Sequence, residues 1–248
     1  NYPLLGAYNS HDPKTVEQHC KWASKAGIDT FIVSWWGHGS YEDDSMSLIL
    51  DTCKKFGMTA CVYYETVPNP KTPQTAADDI LRILDKYAVH PSYLKANGRP
   101  VVFLYSRTLN DIGLYGWYQT KQIINEKYKD GIALIGDQMS YGSACVFDGI
   151  HTYNTCGQLY GKSVEQIADW CKTQYVKWDS VAHRNNRIST ITVIPGYDDT
   201  KIQKPGLKIE RLDGQSYQVQ WQNAIATSPD WILITSFNEW HEGSEIEP

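Results

Sequence analysis

The sequence predicts an α/β protein of the (β/α)8 TIM-barrel class, on three observations. The chain has 248 residues, close to the roughly 250 of one such barrel. Short apolar, β-branched or aromatic runs alternate with stretches of helical period along its whole length. No GxGxxG string follows any of those runs, so a dinucleotide-binding open sheet gains no support.

The first strand is expected over residues 3–9. Asp12 then offers an N-cap and Pro13 a first-turn proline, and Gly27 closes that helix. A second strand over 31–36 leads to a helix over 45–56 with Gly57 behind it. The third strand is 59–65. Thr72 and Pro73 open the next helix, where Ile80, Leu84 and Tyr87 recur at helical spacing. The fourth strand is 100–106, followed by a helix around 117–128. The fifth and sixth strands, 132–137 and 149–153, are joined by residues 138–146, too few for a full helix. Ser163 and Gln166 form a capping box ahead of a helix to about Lys177. A seventh strand over 190–197, a helix over 215–226 and an eighth strand over 231–239 complete the series. Pro248 arrives before an eighth helix, so the barrel is expected without its last one. There is no linker, repeat or low-complexity segment, and residues 1–248 read as a single catalytic domain.

Composition narrows the function. The formal net charge of -5 gives no electrostatic reason to seek a nucleic-acid backbone or an anionic membrane. A neutral substrate suits it better. Nine Trp and 17 Tyr against five Phe favour rings with an apolar face and a polar tip, as sugar stacking uses, although large barrels hold many aromatics anyway. The six cysteines, Cys20, Cys53, Cys61, Cys145, Cys156 and Cys171, form no metal-ligand spacing and leave the redox compartment undecided. No apolar run nears the ~18 residues of a membrane span. No leader is visible from Asn1, where a mature chain would already have lost one, and no N-x-Ser/Thr sequon occurs.

Barrel enzymes carry their chemistry just past the C-terminal ends of their strands. That rule selects Tyr8, Asn9 and His11; Trp35, Trp36 and His38; Tyr63, Tyr64 and Glu65; Asp137 and Gln138; His151 and Tyr153; Tyr197 and Asp198; and Asn238, Glu239 and Glu242. There is no GxSxG elbow and no thiol with a paired histidine. Two carboxylates three residues apart at the end of a buried strand disfavour double ionisation, which yields one acid and one base for glycosidic cleavage. By spacing alone, Glu239 and Glu242 read equally as two solvated loop residues. His11, His38, His151 and His241 lie near strand ends, but no H-x-H or strand-eight aspartate completes a zinc set, so no metal and no other cofactor is expected.

The string Thr235-Ser236-Phe237-Asn238-Glu239-Trp240-His241-Glu242-Gly243 resembles glycoside hydrolase family 99, the endo-acting α-mannosidases and α-mannanases. Leu5-Gly6-Ala7-Tyr8-Asn9-Ser10, Ala26-Gly27-Ile28-Asp29, Val33-Ser34-Trp35-Trp36, Phe147-Asp148-Gly149-Ile150-His151-Thr152-Tyr153 and Pro195-Gly196-Tyr197-Asp198-Asp199-Thr200 resemble further segments of that family, and Glu65 stands where it carries a strand-three glutamate. The resemblance implies a (β/α)8 barrel that cleaves internal α-1,2-mannosyl linkages, in mannans or N-glycan-type oligosaccharides, with retention. Glu239 would deprotonate the substrate's own 2-hydroxyl, giving a 1,2-anhydro sugar, and Glu242 would act as acid and then base. Tyr8, Trp36, Glu65, Tyr153, Tyr197, Asn238 and His241 would bind substrate. The resemblance also implies a secreted, periplasmic or secretory-pathway setting, and a monomer is expected. The chain departs from the family in two places. Tyr63 stands where many relatives carry a histidine, and the loop over 37–44, which in the endomannosidases helps hold the sugar on the non-reducing side, is short. Three alternatives stay open: a glycan-binding barrel without catalysis, a related glycosidase of different sugar specificity, and a metal-dependent barrel hydrolase.

Overall fold

A computed structural model describes residues 2–248, which divide into two compact units. The first holds Leu5–Asp137 and Val146–Asp148; the second holds Gln138–Cys145 and Gly149–Pro248 with the N-terminal residues up to Leu4.

The first unit opens with α1 (Pro13–Lys25), capped as expected by the Asp12 side chain, which accepts the Lys14 N–H at 3.0 Å. Next come β1 (Thr30–Trp35), α2 (Tyr41–Lys55), β2 (Thr59–Tyr64) and α3 (Pro73–Ile83). Thr72 and Thr75 make a reciprocal capping box on α3, and that helix runs on into a π-helical turn (Leu84–Ala88). β3 (Lys95–Ala96), β4 (Arg99–Leu104), α4 (Ser106–Lys127) and β5 (Ala133–Asp137) complete it. Four strands run parallel in the order β1-β2-β4-β5, with β3 antiparallel on β4. Residues 60–64 and 100–104 are buried throughout, the continuous apolar pattern of strands covered on both faces.

The second unit contains α5 (Tyr141–Val146), β6 (Gly149–His151), α6 (Cys156–Leu159), α7 (Val164–His183), β7 (Ile188–Val193), the two-stranded ribbon β8 (Tyr197–Asp198) and β9 (Lys208–Ile209), α8 (Gln215–Thr227) and β10 (Trp231–Ile234). β6, β7 and β10 pair in parallel. The Ser163 and Gln166 box caps α7. Cys171, Tyr175, Ile191, Val193 and Ala224 form the core between α7, α8 and β7, with Ile232 and Ile234 against it.

Three expectations change. Residues 3–9 are not a strand. Pro3 has no N–H to give a ladder, Gly6 turns the chain at φ 70, and most of these side chains are exposed. Asn9 and His11 instead dock on α2: the His11 ring stacks on Tyr41 at 3.7 Å, and the Tyr41 hydroxyl donates to Asn9 Oδ1 at 2.6 Å. Seven parallel strands therefore stand among the described residues where eight were expected. The last three are also shorter than predicted, ending at His151, Val193 and Ile234. Tyr153, Tyr197 and Glu239 consequently lie beyond the ends of β6, β7 and β10, Tyr197 in the separate ribbon strand β8. Helix α4 starts at Ser106, not near 117, because Gly113 adopts φ 68 and lets two helical pieces abut. No helix follows β10, and no described helix is long and apolar enough to cross a membrane.

Candidate active site

Beyond β10 the chain folds back on itself. Ser236 N–H donates to Ser244 O at 2.9 Å, Glu247 N–H to Phe237 O at 2.8 Å, and Trp240 Nε1 to Glu247 Oε2 at 2.8 Å. These bonds close a loop that carries Asn238, Glu239, His241 and Glu242. Ser236 Oγ accepts the Glu239 N–H at 3.0 Å and lies 2.9 Å from Ser244 Oγ, so one serine pins both sides of the loop's neck.

The far side of the loop is fastened to β8. Glu242 O accepts the Asp198 N–H at 2.7 Å. Gly243 has φ 61, and a Cβ there would stand 3.1 Å from Asp198 N. Glycine is what permits both the turn and this close approach. Arg211 Nη2 donates to Gly243 O at 3.1 Å and Glu245 O at 2.9 Å, and pairs with Glu245 Oε1 at 2.7 Å.

This backbone aims the Glu242 carboxyl at two phenols. The Tyr153 hydroxyl donates to Glu242 Oε2 at 3.2 Å, and the Thr235 hydroxyl donates to Tyr153 O, tying that residue to the end of β10. Tyr197 is within hydrogen-bonding reach of Glu242 and also donates to Asp199 Oδ2 at 3.1 Å. Burial pushes the Glu242 carboxyl above the ordinary range; the charges of Glu239 and Asp199 add to this, and the phenol hydrogen bonds offset part of it. Burial, and after it the charge of Glu242, likewise push the buried Cys156 thiol up to about 12. Glu239 itself is 43% exposed, with His241 Nδ1 at 3.8 Å from its Oε1. Asn238 and His241 are exposed. The loop thus pairs a half-buried carboxyl of raised proton affinity with a more exposed carboxylate close enough to contribute to that rise.

A raised carboxyl costs stability when ionised. The penalty is fully present above the folded pKa and disappears below the ordinary glutamate value near ~4.3. Glu242→Gln is therefore expected to raise the Tm by a few degrees, roughly 2–4 °C per kcal/mol for a chain of this size, at pH 8 and to leave it nearly unchanged at pH 4. Equal or lower Tm at pH 8 in thermal unfolding would contradict the electrostatic reading.

The first unit holds the other predicted contacts. Glu65 is buried and accepts the Ser34 hydroxyl at 2.6 Å. Burial raises its pKa, and Ser34 and the Arg107 charge counter that. Trp36 is 46% exposed, and the Arg107 guanidinium lies over its ring at 4.9 Å and over Tyr105 at 5.4 Å. Tyr8 meets the ring of His19 edge-on at 5.0 Å. Of the residues selected from sequence, Tyr153, Tyr197 and Glu242 converge; His241 accompanies Glu239; Trp36 and Glu65 share Arg107. His151 is buried in β6, His38 pairs with Asp43, and His11 lies on Tyr41. Among the described residues no three His, Cys, Asp or Glu are grouped to hold a metal ion.

Sequence reasoning missed Asp199, Ser236 and Arg107. The strand-end rule, applied to the strand over 100–106, would have found Arg107. Nothing local distinguishes Asp199 from Asp198 beside it, because only the β8–β9 ribbon decides which of the two turns inward.

Comparison with known proteins places the chain. The family model for glycosyl hydrolase family 99 matches residues 1–248. The glycoprotein endo-alpha-1,2-mannosidase of Rattus norvegicus is 31% identical over 99% of this chain and 56% of its own length, and that of Xenopus laevis is 30% identical over 99% and 58%. The chain thus spans slightly more than half of these curated relatives. The solved structure of the GH99 endo-alpha-mannosidase from Bacteroides thetaiotaomicron is similar with a TM-score of 0.83 and 31% identity, covering all of this chain and 73% of that one. The parallel strand–helix alternation accords with the fold class this match carries, the (β/α)8 TIM barrel. On the full-length family match and the 31% identity, the chain belongs to glycosyl hydrolase family 99.

Proposed function

We propose that this chain is an endo-acting α-mannoside hydrolase, cleaving internal α-1,2-mannosyl linkages with retention and without a metal. One observation carries the reading: on a family 99 chain, a half-buried carboxyl of raised proton affinity, Glu242, sits beside the carboxylate Glu239, whose side chain is 43% exposed. A general acid gains from a raised proton affinity, and partial burial beside a like charge shifts Glu242 in that direction.

The proposed reaction follows the family resemblance. Glu239 takes the proton of the substrate 2-hydroxyl, whose oxygen attacks C1. The bond from C1 to the leaving oxygen breaks as Glu242 gives that oxygen its proton, leaving a 1,2-anhydro sugar. Water, deprotonated by Glu242, then opens the ring at C1, and Glu239 returns the proton to the 2-oxygen. Two inversions at C1 give net retention without an enzyme nucleophile, an exception to the usual pair of carboxylates. Tyr8, Trp36, Glu65, Tyr153, Tyr197, Asn238 and His241 are proposed as sugar contacts. Trp36 offers an exposed ring to stack on. The unbroken family match over 1–248 supports one catalytic domain.

Digestion of a panel of α-mannans and glucosylated mannose oligosaccharides tests the assignment. Internal cleavage with retained anomeric configuration is expected, read by product length and by NMR of the first-formed anomer. Inverted or exo-released products would overturn it.

A further inference from the structure

Tyr197 stands between two carboxylates and has one proton to give. It is 9% exposed, in β8; its hydroxyl donates to Asp199 Oδ2 at 3.1 Å and adjoins the Glu242 carboxyl. Asp199 is 8% exposed and unusually well held. Its Oδ1 accepts the Leu207 N–H at 2.6 Å, its N–H donates to Leu207 O at 3.2 Å, and its carbonyl accepts the N–H groups of Ile202 and Gln203 at 2.9 and 2.8 Å. With Oδ1 occupied by the backbone, Oδ2 is left for the phenol. Burial raises the Tyr197 pKa far above the ordinary tyrosine range, and Glu242 and Asp199 add to that, so the phenol keeps its proton throughout.

We propose that Asp199 is a positioning residue for the proposed acid/base, acting by giving the Tyr197 hydroxyl an alternative acceptor, so that this hydroxyl turns with the protonation state of Glu242. When Glu242 is protonated, the phenol donates to Asp199 and leaves Glu242 free to give its proton away. When Glu242 has become a carboxylate, the Tyr197 O–H turns to it and stabilises the charge. No proton leaves Tyr197 in either step; only the O–H bond rotates. The groups facing Glu242 are Glu239, Tyr153, Tyr197, Asp199 and Cys156. Of these, Tyr197 is bonded to a second carboxylate, that of Asp199. A fixed donor would hold Glu242 ionised, and no donor would hold it protonated; a donor that turns serves both halves of the reaction.

The inference rests on Glu242 being the acid/base of the proposed reaction, and its test separates the two. In Asp199→Asn the amide oxygen can keep the Leu207 N–H, while the amide nitrogen then donates to the Tyr197 oxygen and forces the phenol proton onto Glu242. Tyr197→Phe removes the donor. The Glu242 carboxyl is titrated directly by NMR in glutamate-labelled protein, with Glu242→Gln to assign its signal. The alkaline limb of kcat/KM on an α-mannan is measured in parallel. Asp199→Asn is expected to move both the Glu242 midpoint and the limb down by a pH unit or more, with kcat falling more than KM changes, and to move the midpoint far less in a Tyr197→Phe background, where only the loss of the Asp199 charge acts. Tyr197→Phe is expected to move them up. An unmoved midpoint in Asp199→Asn, the same direction of shift in both single variants, or an Asp199→Asn shift equally large with and without the Tyr197 hydroxyl overturns the proposal even if kcat falls. Opposite shifts of the midpoint, with the Asp199→Asn shift largely lost in the Tyr197→Phe background, in a protein inactive on every mannan uphold the positioning role and reject the mannosidase reading instead.

Discussion

Glu239→Gln and Glu242→Gln are each expected to cut turnover on an α-mannan by about 10²–10⁴-fold, the span typical of a removed general acid or base, while leaving the circular-dichroism spectrum unchanged. Both side chains leave a loop whose shape is set by other bonds: the Ser236–Ser244 neck, the Trp240–Glu247 hydrogen bond, and Arg211 on the carbonyls of Gly243 and Glu245. Neither substitution removes a partner that these bonds need. The two roles then separate by leaving group. Glu242 is proposed to protonate the departing oxygen, so a substrate with an activated leaving group should restore much of the rate to Glu242→Ala. The same substrate should do little for Glu239→Ala, because the 2-hydroxyl would still lack its base. Near wild-type turnover in either Gln variant would remove that residue from the reaction. Rescue of both Ala variants alike would mean that the roles are not divided as proposed.

The largest effect on stability is expected at Asp43, a residue to which the sequence assigned no role of its own. Its side chain is 2% exposed and gathers five donors. Trp35 Nε1 reaches it at 2.8 Å, Gly39 N–H at 3.0 Å, Lys86 Nζ at 3.0 Å and His38 Nδ1 at 3.2 Å, and the Tyr87 hydroxyl makes the fifth bond. Burial by itself would raise this carboxyl; the Gly39, Tyr87, Trp35 and Lys86 donors outweigh it and hold the pKa well below the usual aspartate range. Asp43→Ala strands the Trp35 and Tyr87 donors in the interior. Breaking such a buried network costs about 3–5 kcal/mol, on the order of 10 °C in Tm for a chain of this length. Because the folded pKa is depressed, the stabilisation is complete above the ordinary aspartate value of ~3.9 and is lost as pH falls through the folded value. The gap between wild type and Asp43→Ala in urea unfolding should hold steady from pH 5 to 8 and narrow below pH 4. A gap under about 1 kcal/mol at pH 7 would show that the donors find other partners. Asp43 also ties down residues 38 and 39 behind Trp36, so substrate affinity is expected to weaken in the same variant.

Much of the fold was legible in local chemistry. Asp12-Pro13, Thr72-Pro73 and Ser163 with Gln166 start helices because their side chains satisfy N–H groups that the helix itself cannot, and all three open helices where expected. The apolar runs of β2, β4 and β5 announce strands buried on both faces. Residues 3–9 have a similar apolar look and no ladder, because a strand exists only with a partner at hydrogen-bonding distance, and pairing is not written in a single segment.

Glu239 and Glu242 were visible from the outset as carboxylates at the end of the last strand, and the nine-residue string around them identified the family. Their difference was not visible. Spacing makes the two equivalent, whereas the fold turns Glu242 inward against Tyr153 and Tyr197 and leaves Glu239 facing solvent beside His241. Asp199 shows the same limit. The sequence by itself determined the strand–helix alternation and which residue types could do chemistry, since both follow from side-chain period and functional group. Only the tertiary structure decided which carboxyl is drawn in against the phenols and which phenol stands between two acids, because burial and charge–charge distance depend on residues far apart along the chain, as Tyr153 and Glu242 are at 89 positions.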